Sequence, residues 1–290
     1  MQLTPAGAAR RAVLIGLPLL AVALMILGPL AVTFAVSFWE KTGFTMRPAF
    51  VLENYADFLA GARLSVLLRS LWVAVTATAV MLALAYPIAY LIATRLPPAW
   101  TRPVLFLFAM PFLVNYVVRT FAWSDILSRN GWANEALTGL RLTDAPVDWL
   151  LYSDFAVYLG LVTAYMPFMV FPIWLSLANI DPRMKEASWM LGETPFATFR
   201  RVVLPLSTPG VAAAAIFGFV GAFGEVAVSL ILGGTGYQLL GNAIQSALST
   251  LNYPLAAAIS SFSTLLMLAA LAVWYLRFDI RLFLGRMAGR

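Results

Sequence analysis

The stretch DPRMKEASWMLGETPFATFRRVVLPLSTP, residues 181–209, is the longest water-compatible and helix-patterned segment lying between two long apolar segments. Asp181 and Pro182 form a helix start, because the aspartate oxygen accepts from free backbone amides and the proline is already at a helical φ. Gly192 is placed to end that helix, since a left-handed residue after a helix costs glycine little. The stretch therefore predicts a helix followed by a glycine turn.

A second start signal, Thr194-Pro195, follows the glycine turn. Apolar residues then recur at helical spacing, at Phe196, Phe199, Val202 and Val203. Leu204-Pro205 and Pro209 are expected to close this second helix before the chain becomes apolar again. Both helices are amphipathic, so the segment is predicted to stand on one side of a membrane protein.

The same stretch resembles part of a known family. Seven residues resemble the EAA motif of bacterial ABC-importer permeases, both in type and in their spacing along the chain. They are Glu186, Ala187, Ser188, Gly192, Val202, Leu204 and Pro205. Ser188 stands where the motif has its second alanine, and Val202 stands where it has isoleucine. In that family the loop forms coupling helices that dock into a groove of a cytoplasmic ATPase, so the resemblance implies an ATPase-coupling role for residues 181–205. The alternative is an ordinary cytoplasmic connector, which the joint match of glutamate, glycine and Leu-Pro disfavours.

The composition is typical of a polytopic membrane protein. The chain has 290 residues, of which 62% are hydrophobic and 11% are charged, and its mean hydropathy is +0.86. It contains neither cysteine nor histidine, which excludes thiol chemistry and disfavours a zinc site, a Ser-His-Asp triad and a histidine proton relay. We therefore predict no metal site and no catalytic residue. The net charge of +6 does not indicate nucleic-acid binding, because the basic residues lie at membrane edges.

Six apolar segments are long enough to cross the hydrocarbon core, which takes about 20 helical residues. They lie at about residues 12–38, 66–93, 104–121, 155–178, 211–232 and 255–276. The first is expected to be a retained helix and not a cleaved signal peptide, because its apolar run exceeds the ~7–15 residues of a signal region. We therefore predict an all-α polytopic protein with one transmembrane domain over residues 1–290.

The basic residues predict which side of the membrane each loop faces. Twelve lie on the proposed cytoplasmic side, at Arg10, Arg11, Arg95, Arg102, Arg183, Lys185, Arg200, Arg201, Arg277, Arg281, Arg286 and Arg290. Seven lie on the other side, at Lys41, Arg47, Arg63, Arg69, Arg119, Arg129 and Arg141. Together with the bacterial family resemblance, this bias predicts a plasma-membrane protein whose two termini and residues 181–205 lie in the cytoplasm.

Three loops carry further expectations. Residues 39–64 are mixed and charged, so they are expected to form a solvated loop. Residues 124–154 are charged and carry Trp132 and Trp149, which favours short helices over the outer face. Residues 233–254 have no charged side chain and begin with glycines, which favours a loop that dips toward the pore.

Glu225 lies inside the fifth apolar segment, where an ionised carboxylate costs at least ~2.5–3.5 kcal/mol on insertion scales. Gly218, Gly221 and Gly224 precede it and permit close helix packing or an unwound turn. We expect Glu225 to face the substrate path, where it would contact a cationic solute. The alternative left open is a structural ion pair, with Arg119 as the candidate partner.

The run NYVVRTFAWSDILSRNGWANE, residues 115–135, resembles the third helix and outer loop of spermidine/putrescine-type permeases. Residues 165–174, YMPFMVFPIW, resemble their fourth helix, and with the EAA-like stretch the similarity covers most of the chain from about residue 65 onward. The resemblance implies a type I ABC-importer permease. Such a permease works with a second permease subunit, two cytoplasmic ATPase subunits and a soluble solute-binding protein.

Nucleotide is expected on those partner subunits and not on this chain. A phosphate-binding P-loop needs a Gly-Lys pair, and neither of the two lysines, Lys41 and Lys185, follows a glycine. We therefore predict no cofactor in this chain and Mg-ATP on the ATPase subunits.

The candidate substrate path comprises Asn115, Tyr116, Arg119, Trp123 and Glu225. Tyr116 and Trp123 offer cation–π surfaces, and Glu225 offers a counter-charge, for an amine in transit. Arg119 would repel a polyamine on the same path, so the solute stays open between polyamines and another small organic solute. The alternative function is a secondary transporter coupled to protons through Glu225. It predicts repeated halves with broken helices, and the sequence shows no such repeat.

Overall fold

The protein is described by a computed structural model that covers the backbone of residues 5–277 and the side chains of residues 14–276. Over this range its regular secondary structure is helical apart from one short hairpin. The predicted inner-side arginines at positions 10, 11, 277, 281, 286 and 290 lie outside the described side chains.

The helices are separated by short turns. They are α1 (Pro5–Val36), α2 (Glu53–Leu59), α3 (Gly61–Thr94), α4 (Pro98–Ala109), α5 (Tyr116–Leu127), α6 (Trp132–Gly139), α7 (Asp154–Ala178), α8 (Pro182–Met190), α9 (Pro195–Thr198), α10 (Leu204–Phe223), α11 (Ala227–Leu232), α12 (Leu240–Ser249) and α13 (Tyr253–Arg277). Two short segments, Met110–Leu113 and Asp148–Leu150, are tighter 3-10 helices. One segment, Phe199–Val203, is a wider π-helix. The hairpin pairs β1 (Glu40–Thr42) antiparallel with β2 (Thr45–Arg47).

Among the described residues, five helical segments are long and apolar enough to cross a membrane. They are Leu14–Val36, Gly61–Thr94, Asp148–Ala178, Pro195–Phe223 and Tyr253–Leu276. A sixth consists of two arms, Pro98–Leu113 and Tyr116–Gly139, which are bent by 90° relative to each other. The predicted all-α polytopic fold is confirmed, with six spans when the bent pair counts as one.

The apolar segment at residues 104–121 is not one continuous helix. The chain leaves the helix after Leu113, and a new helix starts at Tyr116. Pro111 lacks a backbone N–H and tightens the end of the first arm into a 3-10 turn. The side chain of Asn115 then accepts a hydrogen bond from the Val117 amide at 2.9 Å and caps the second arm. A proline and a cap therefore divide one apolar run into two helices.

The predicted helix over residues 211–232 differs from the structure at both ends. It starts earlier, because α9, the π-helix and α10 run on without a break, so Pro205 and Pro209 do not close the second helix. The wider π-helical turn lies directly before Pro205, which takes a first-turn position of α10 where a missing N–H costs little. The helix then breaks between Phe223 and Ala227, around Glu225.

The expected loops contain more regular structure than a solvated chain. Residues 39–64 hold the hairpin and α2, and α3 already begins at Gly61, where a φ of +55° suits glycine. The short helices predicted within 124–154 are present as the end of α5, α6 and a 3-10 turn. Residues 233–254 contain α12. Whether that segment dips toward a pore stays a prediction.

The described residues fall into two compact units. One unites residues up to Leu64 with Ala243–Met267, and the other unites Ser65–Asn242 with residues from Leu268 onward. In the first unit the buried Ser37 hydroxyl lies 2.7 Å from the Tyr55 hydroxyl. All candidate site residues lie in the second unit. The single domain predicted over residues 1–290 stays a prediction.

The core of the second unit is the close pair α7–α10. Two glycines of α10 let the helices approach, because a Cβ at Gly210 would lie 2.5 Å from the Pro172 carbonyl oxygen and one at Gly218 would lie 2.9 Å from the Met169 sulfur. Small residues at such contacts are the usual means by which membrane helices pack closely. This packing sets α10 beside α7 up to the point where α10 ends.

Candidate substrate path and coupling segment

Glu225 occupies the break between α10 and α11 and is only 4% exposed. Its Oε1 accepts hydrogen bonds from the amides of Val226, Ala227 and Val228 at 3.1, 2.9 and 3.1 Å. Its Oε2 accepts from the Tyr165 hydroxyl at 2.6 Å. A carboxylate at a helix N-terminus is stabilised both by these free amides and by the helix dipole. The buried carboxylate is therefore held in place by the start of α11 and by Tyr165.

Arg119 binds at the C-terminal end of a helix, whereas Glu225 binds at the N-terminal end of one. Its Nη1 donates to the Pro111 carbonyl oxygen at 2.6 Å, and its guanidinium carbon lies 5.8 Å from the centre of the Phe112 ring. Carbonyls at the end of a helix carry partial negative charge, which suits a guanidinium. Among the described side chains the ion pairs are Arg69–Asp154, Arg129–Asp148 and Arg201–Glu193. The Glu225–Arg119 pair considered from the sequence is not formed.

Tyr165 of α7 connects these two charges. Its hydroxyl donates to Glu225, and it lies close enough to interact electrostatically with Arg119 and with Tyr116. Three predicted path residues, Tyr116 and Arg119 of α5 and Glu225 at the break before α11, thus lie around one tyrosine that sequence reasoning did not single out. With Tyr165 they are called the Tyr165 cluster. The signal that was available is a hydroxyl within the mostly apolar α7, which needs a partner when it is buried.

The remaining path residues do not converge on Glu225. A cavity of about 520 Å³ lies between α4, α5 and α7, and of the predicted path residues Arg119 and Trp123 line it. Asn115 caps α5 instead. The expected pairing of a cation–π surface at Trp123 with the Glu225 counter-charge in one cavity is therefore not seen.

A second polar cluster, which sequence reasoning missed, holds the glycine-rich loop after α11. Arg69 lies 3.5 Å from Asp154, and its guanidinium carbon lies 4.1 Å from the centre of the Tyr237 ring. The buried Ser70 hydroxyl accepts from the Leu240 amide at 2.8 Å. Burial, reinforced by the neighbouring Asp154 carboxylate, raises the pKa of Tyr237. These contacts fix the loop to α3 and to the start of α7.

Replacing Gly221 by alanine is expected to destabilise the Tyr165–Glu225 contact. A Cβ at Gly221 would lie 2.3 Å from Cε1 of the Tyr165 ring, and a rigid ring cannot yield without moving its hydroxyl. We expect Gly221→Ala to lower stability by about 1–3 kcal/mol, the usual cost of overpacking a core. Gly224→Ala is the matched control, because the nearest atom to its Cβ is 3.7 Å away. Equal melting temperatures for the two purified variants would contradict the predicted contact.

The stretch that resembles the EAA motif folds as its local signals predict. The Asp181 carboxylate accepts from the Arg183 amide at 2.9 Å and caps α8. Gly192 ends the helix with a φ of +81°, and the Thr194 hydroxyl accepts from the Ala197 amide at 3.2 Å to cap α9. The predicted helix, glycine turn and second helix are therefore present. Residues 181–205 are called the coupling segment below.

The coupling segment exposes apolar side chains at its turn. Met190 is 89% exposed, Leu191 84% and Phe196 72%, and Trp189 beside them is also exposed. These four residues are called the apolar patch. Of the residues matched to the EAA motif, Glu186, Ala187, Leu204 and Pro205 are exposed, Val202 is half-buried and Ser188 is buried. Contiguous exposed apolar side chains rimmed by charge are typical of an interaction surface. The apolar patch was not predicted, because none of its four residues belongs to the EAA motif on which the prediction was based.

Comparison with known proteins identifies the family to which the chain belongs. No protein-family model matches it. The spermidine/putrescine permease protein PotB of Escherichia coli K12 is 35% identical over 231 residues, which cover 79% of this chain and 83% of PotB. The chain belongs to the PotB family of ABC-importer permeases. The PotB of Haemophilus influenzae is 32% identical over 253 residues, covering 86% of this chain and 87% of the relative.

Two further comparisons agree with this family. The inner membrane ABC transporter permease YdcU of Escherichia coli K12 is 30% identical over 269 residues, covering 88% of this chain and 85% of YdcU. The crystal structure of a bacterial ABC transporter that imports alginate matches with a TM-score of 0.72 at 16% identity, over 91% of this chain and 94% of that one. The PotB-family chain is thus a transport subunit with the fold of an ABC-importer permease. The alternative of a self-contained secondary transporter is wrong.

Proposed function

We propose that this permease imports polyamines, or a similar small organic solute, driven by ATP that partner subunits hydrolyse. The observation that carries the proposal is the 35% identity to a spermidine/putrescine permease over 231 residues. The proposed complex also contains a second permease subunit, two cytoplasmic ATPase subunits and a solute-binding protein. A complex with a substrate-bound periplasmic protein is known for the alginate transporter that shares this fold.

The apolar patch is the surface proposed to dock on an ATPase subunit. It lies at the turn between two capped helices, so its exposed side chains are held by regular backbone. Exposed apolar residues surrounded by charge form the central part of many protein interfaces. Because the chain has no P-loop lysine, Mg-ATP is proposed to bind the ATPase subunits alone.

The proposed orientation puts the coupling segment and both termini in the cytoplasm of a bacterial cell. Four basic residues lie in this segment, at Arg183, Lys185, Arg200 and Arg201. Cytoplasmic loops of membrane proteins carry an excess of such residues. This orientation also brings the apolar patch to the side on which cellular ATP is found.

The proposed solute path runs past the Tyr165 cluster. Glu225 and Arg119 each take a helix end as partner, so neither charge needs the other. Transporter sites are commonly built where helices are interrupted near the middle of the membrane. Here Arg119 binds at the break before α5, and Glu225, which accepts from Tyr165, lies at the break before α11. Since Glu225 already accepts four hydrogen bonds, it is proposed to act on the solute through its charge and not as a free ligand.

The solute class is tested by ATPase stimulation of the purified complex with its binding protein. Spermidine and putrescine are expected to raise the ATPase rate, whereas sulfate and a neutral sugar leave the basal rate unchanged. Stimulation by sulfate or the sugar alone would contradict a polyamine substrate.

Gly192→Asp is expected to uncouple ATP hydrolysis from transport. A Cβ at Gly192 meets no atom within 4 Å, so the added charge beside Leu191, and not a clash, is the expected cause. Gly192→Asn is the matched control, because asparagine has the same shape and tolerates the left-handed region equally well. We expect Asp, but not Asn, to lower solute-stimulated ATPase by at least about tenfold, because burying an unpaired charge costs more than the ~1.4 kcal/mol that equals tenfold. Equal stimulation of both variants would contradict the prediction.

A further inference from the structure

Two hydroxyls face each other inside the coupling segment. Ser188 of α8 is 8% exposed and Thr198 of α9 is 3% exposed, and their side-chain oxygens lie 2.9 Å apart. The EAA motif has alanine where this chain has Ser188. A buried hydroxyl is costly unless it has a hydrogen-bond partner, so each of these two satisfies the other.

Other contacts support the same junction. The Glu193 amide donates to the Ser188 carbonyl oxygen at 3.2 Å, and the Glu193 carboxylate accepts from the Arg201 guanidinium. The ion pair is exposed on the Arg201 side, where solvent weakens it, whereas the hydroxyl pair is buried. The Ser188–Thr198 hydrogen bond is therefore the side-chain contact best able to fix α8 against the following helix.

That following helix is long and leads to the Tyr165 cluster. Residues Pro195–Phe223 form one continuous helical segment of 29 residues, and it ends at the break that holds Glu225. The close contacts of Gly210 and Gly218 with α7 keep this segment packed along its length. A contact that fixes α8 to the first turn of the helix Pro195–Phe223 therefore also connects the apolar patch to the other end of that helix.

We infer that the Ser188–Thr198 hydrogen bond is a strut that makes α8 and the helix Pro195–Phe223 move as one piece. Ser188 and Thr198 are then positioning residues for the coupling of ATP hydrolysis to transport. The inference rests on the proposed docking of the apolar patch to an ATPase subunit. It goes beyond that docking by naming the contact that carries motion from the docked helix to the membrane-spanning one.

The test compares single and double removal of the hydroxyls in the assembled transporter. Ser188→Ala leaves the Thr198 hydroxyl buried without its partner, so the yield of folded complex is expected to fall. The double variant Ser188→Ala with Thr198→Val removes both hydroxyls while nearly keeping their shapes, so the yield is expected to recover. A residue with a merely structural role would recover its function together with its yield.

Coupling is read out in two ways. The first is the ratio of solute-stimulated to basal ATPase with spermidine as the probe. We expect the double variant to lower this ratio about two- to tenfold, the factor equivalent to one net hydrogen bond. The second needs no solute: spin labels at Arg183→Cys and Val220→Cys report the distance from α8 to α10, since the chain has no native cysteine. The distance distribution should be narrow in the parent and broad in the double variant.

Tyr55→Phe is the matched control, because it removes a hydroxyl that bonds the buried Ser37 far from the coupling segment in sequence. It is expected to lower the yield but to keep both the ATPase ratio and the narrow distribution. A narrow distribution in the double variant overturns the strut, and so does a broad distribution with an unchanged ratio. If spermidine fails to stimulate the parent complex, the proposed solute is wrong, and the label distances alone then decide the strut.

Discussion

Leu191→Asp is expected to abolish binding of the ATPase subunits to this permease. Leu191 is 84% exposed at the centre of the apolar patch, between Met190 and the turn at Gly192. Buried apolar anchors at the centre of an interface commonly contribute ~2 kcal/mol or more, so we expect binding about thirtyfold weaker or worse. An aspartate also brings a charge that must be desolvated. The measurement is the amount of ATPase subunit that copurifies with tagged permease.

Leu140→Asp is the control for this experiment. Leu140 follows α6 and is 70% exposed, so the same substitution there adds the same charge at a similar degree of exposure. ATPase copurification with Leu140→Asp should match the parent. Full copurification with Leu191→Asp would show that the apolar patch is not the docking surface.

Glu225→Ala is expected to cause the largest loss of stability of any substitution in the membrane-spanning part. It removes the acceptor of four hydrogen bonds and leaves the Tyr165 hydroxyl and the first amides of α11 without partners. Each buried group left unpaired costs about 1–3 kcal/mol, so a total loss of about 3 kcal/mol or more is expected. The measurement is the melting temperature and the yield of the purified complex.

Glu225→Gln separates the charge from the hydrogen bonds. The glutamine oxygen can still accept from the α11 amides, so the yield should fall far less than in Glu225→Ala. Adding Arg119→Gln should not restore that yield, because Arg119 bonds to Pro111 and not to Glu225. If Arg119→Gln restored the yield, the Glu225–Arg119 ion pair considered from the sequence would be supported instead. A wild-type melting temperature in Glu225→Ala would contradict the role of Glu225 as a helix cap.

Local signals made much of the fold predictable. Asp181, Thr194 and Gly192 each act within three residues of their own position, so the two helix starts and the glycine turn of the coupling segment were predicted correctly. The expected end of the second helix at Leu204-Pro205 was wrong, because the helix continues to Phe223. Asn115 acts in the same local way, but it lies in a long apolar run whose hydropathy suggested one helix. Hydropathy measures whether a segment can enter a membrane and does not report where its backbone turns.

The site was less predictable because its contacts are distant in sequence. Glu225 was expected to need compensation, but its partner Tyr165 lies 60 residues away. The pairing of Ser188 with Thr198 depends on how α8 folds back across the Gly192 turn, which no single-residue pattern encodes. The partner of Arg119 was also not predicted, because the Pro111 carbonyl is free to accept its hydrogen bond only where the helix is interrupted after Pro111.

Uptake into proteoliposomes is the direct test of ATP-driven polyamine import by this permease. The permease is reconstituted with its partner permease and ATPase subunits, ATP is enclosed on the ATPase side, and radiolabelled spermidine is supplied with the binding protein on the other side. We expect spermidine to accumulate only when ATP is enclosed, and we expect an imposed proton gradient without ATP to drive no uptake. Accumulation driven by the proton gradient alone, or ATP-dependent accumulation that excludes spermidine and putrescine, would contradict an ATP-driven polyamine importer.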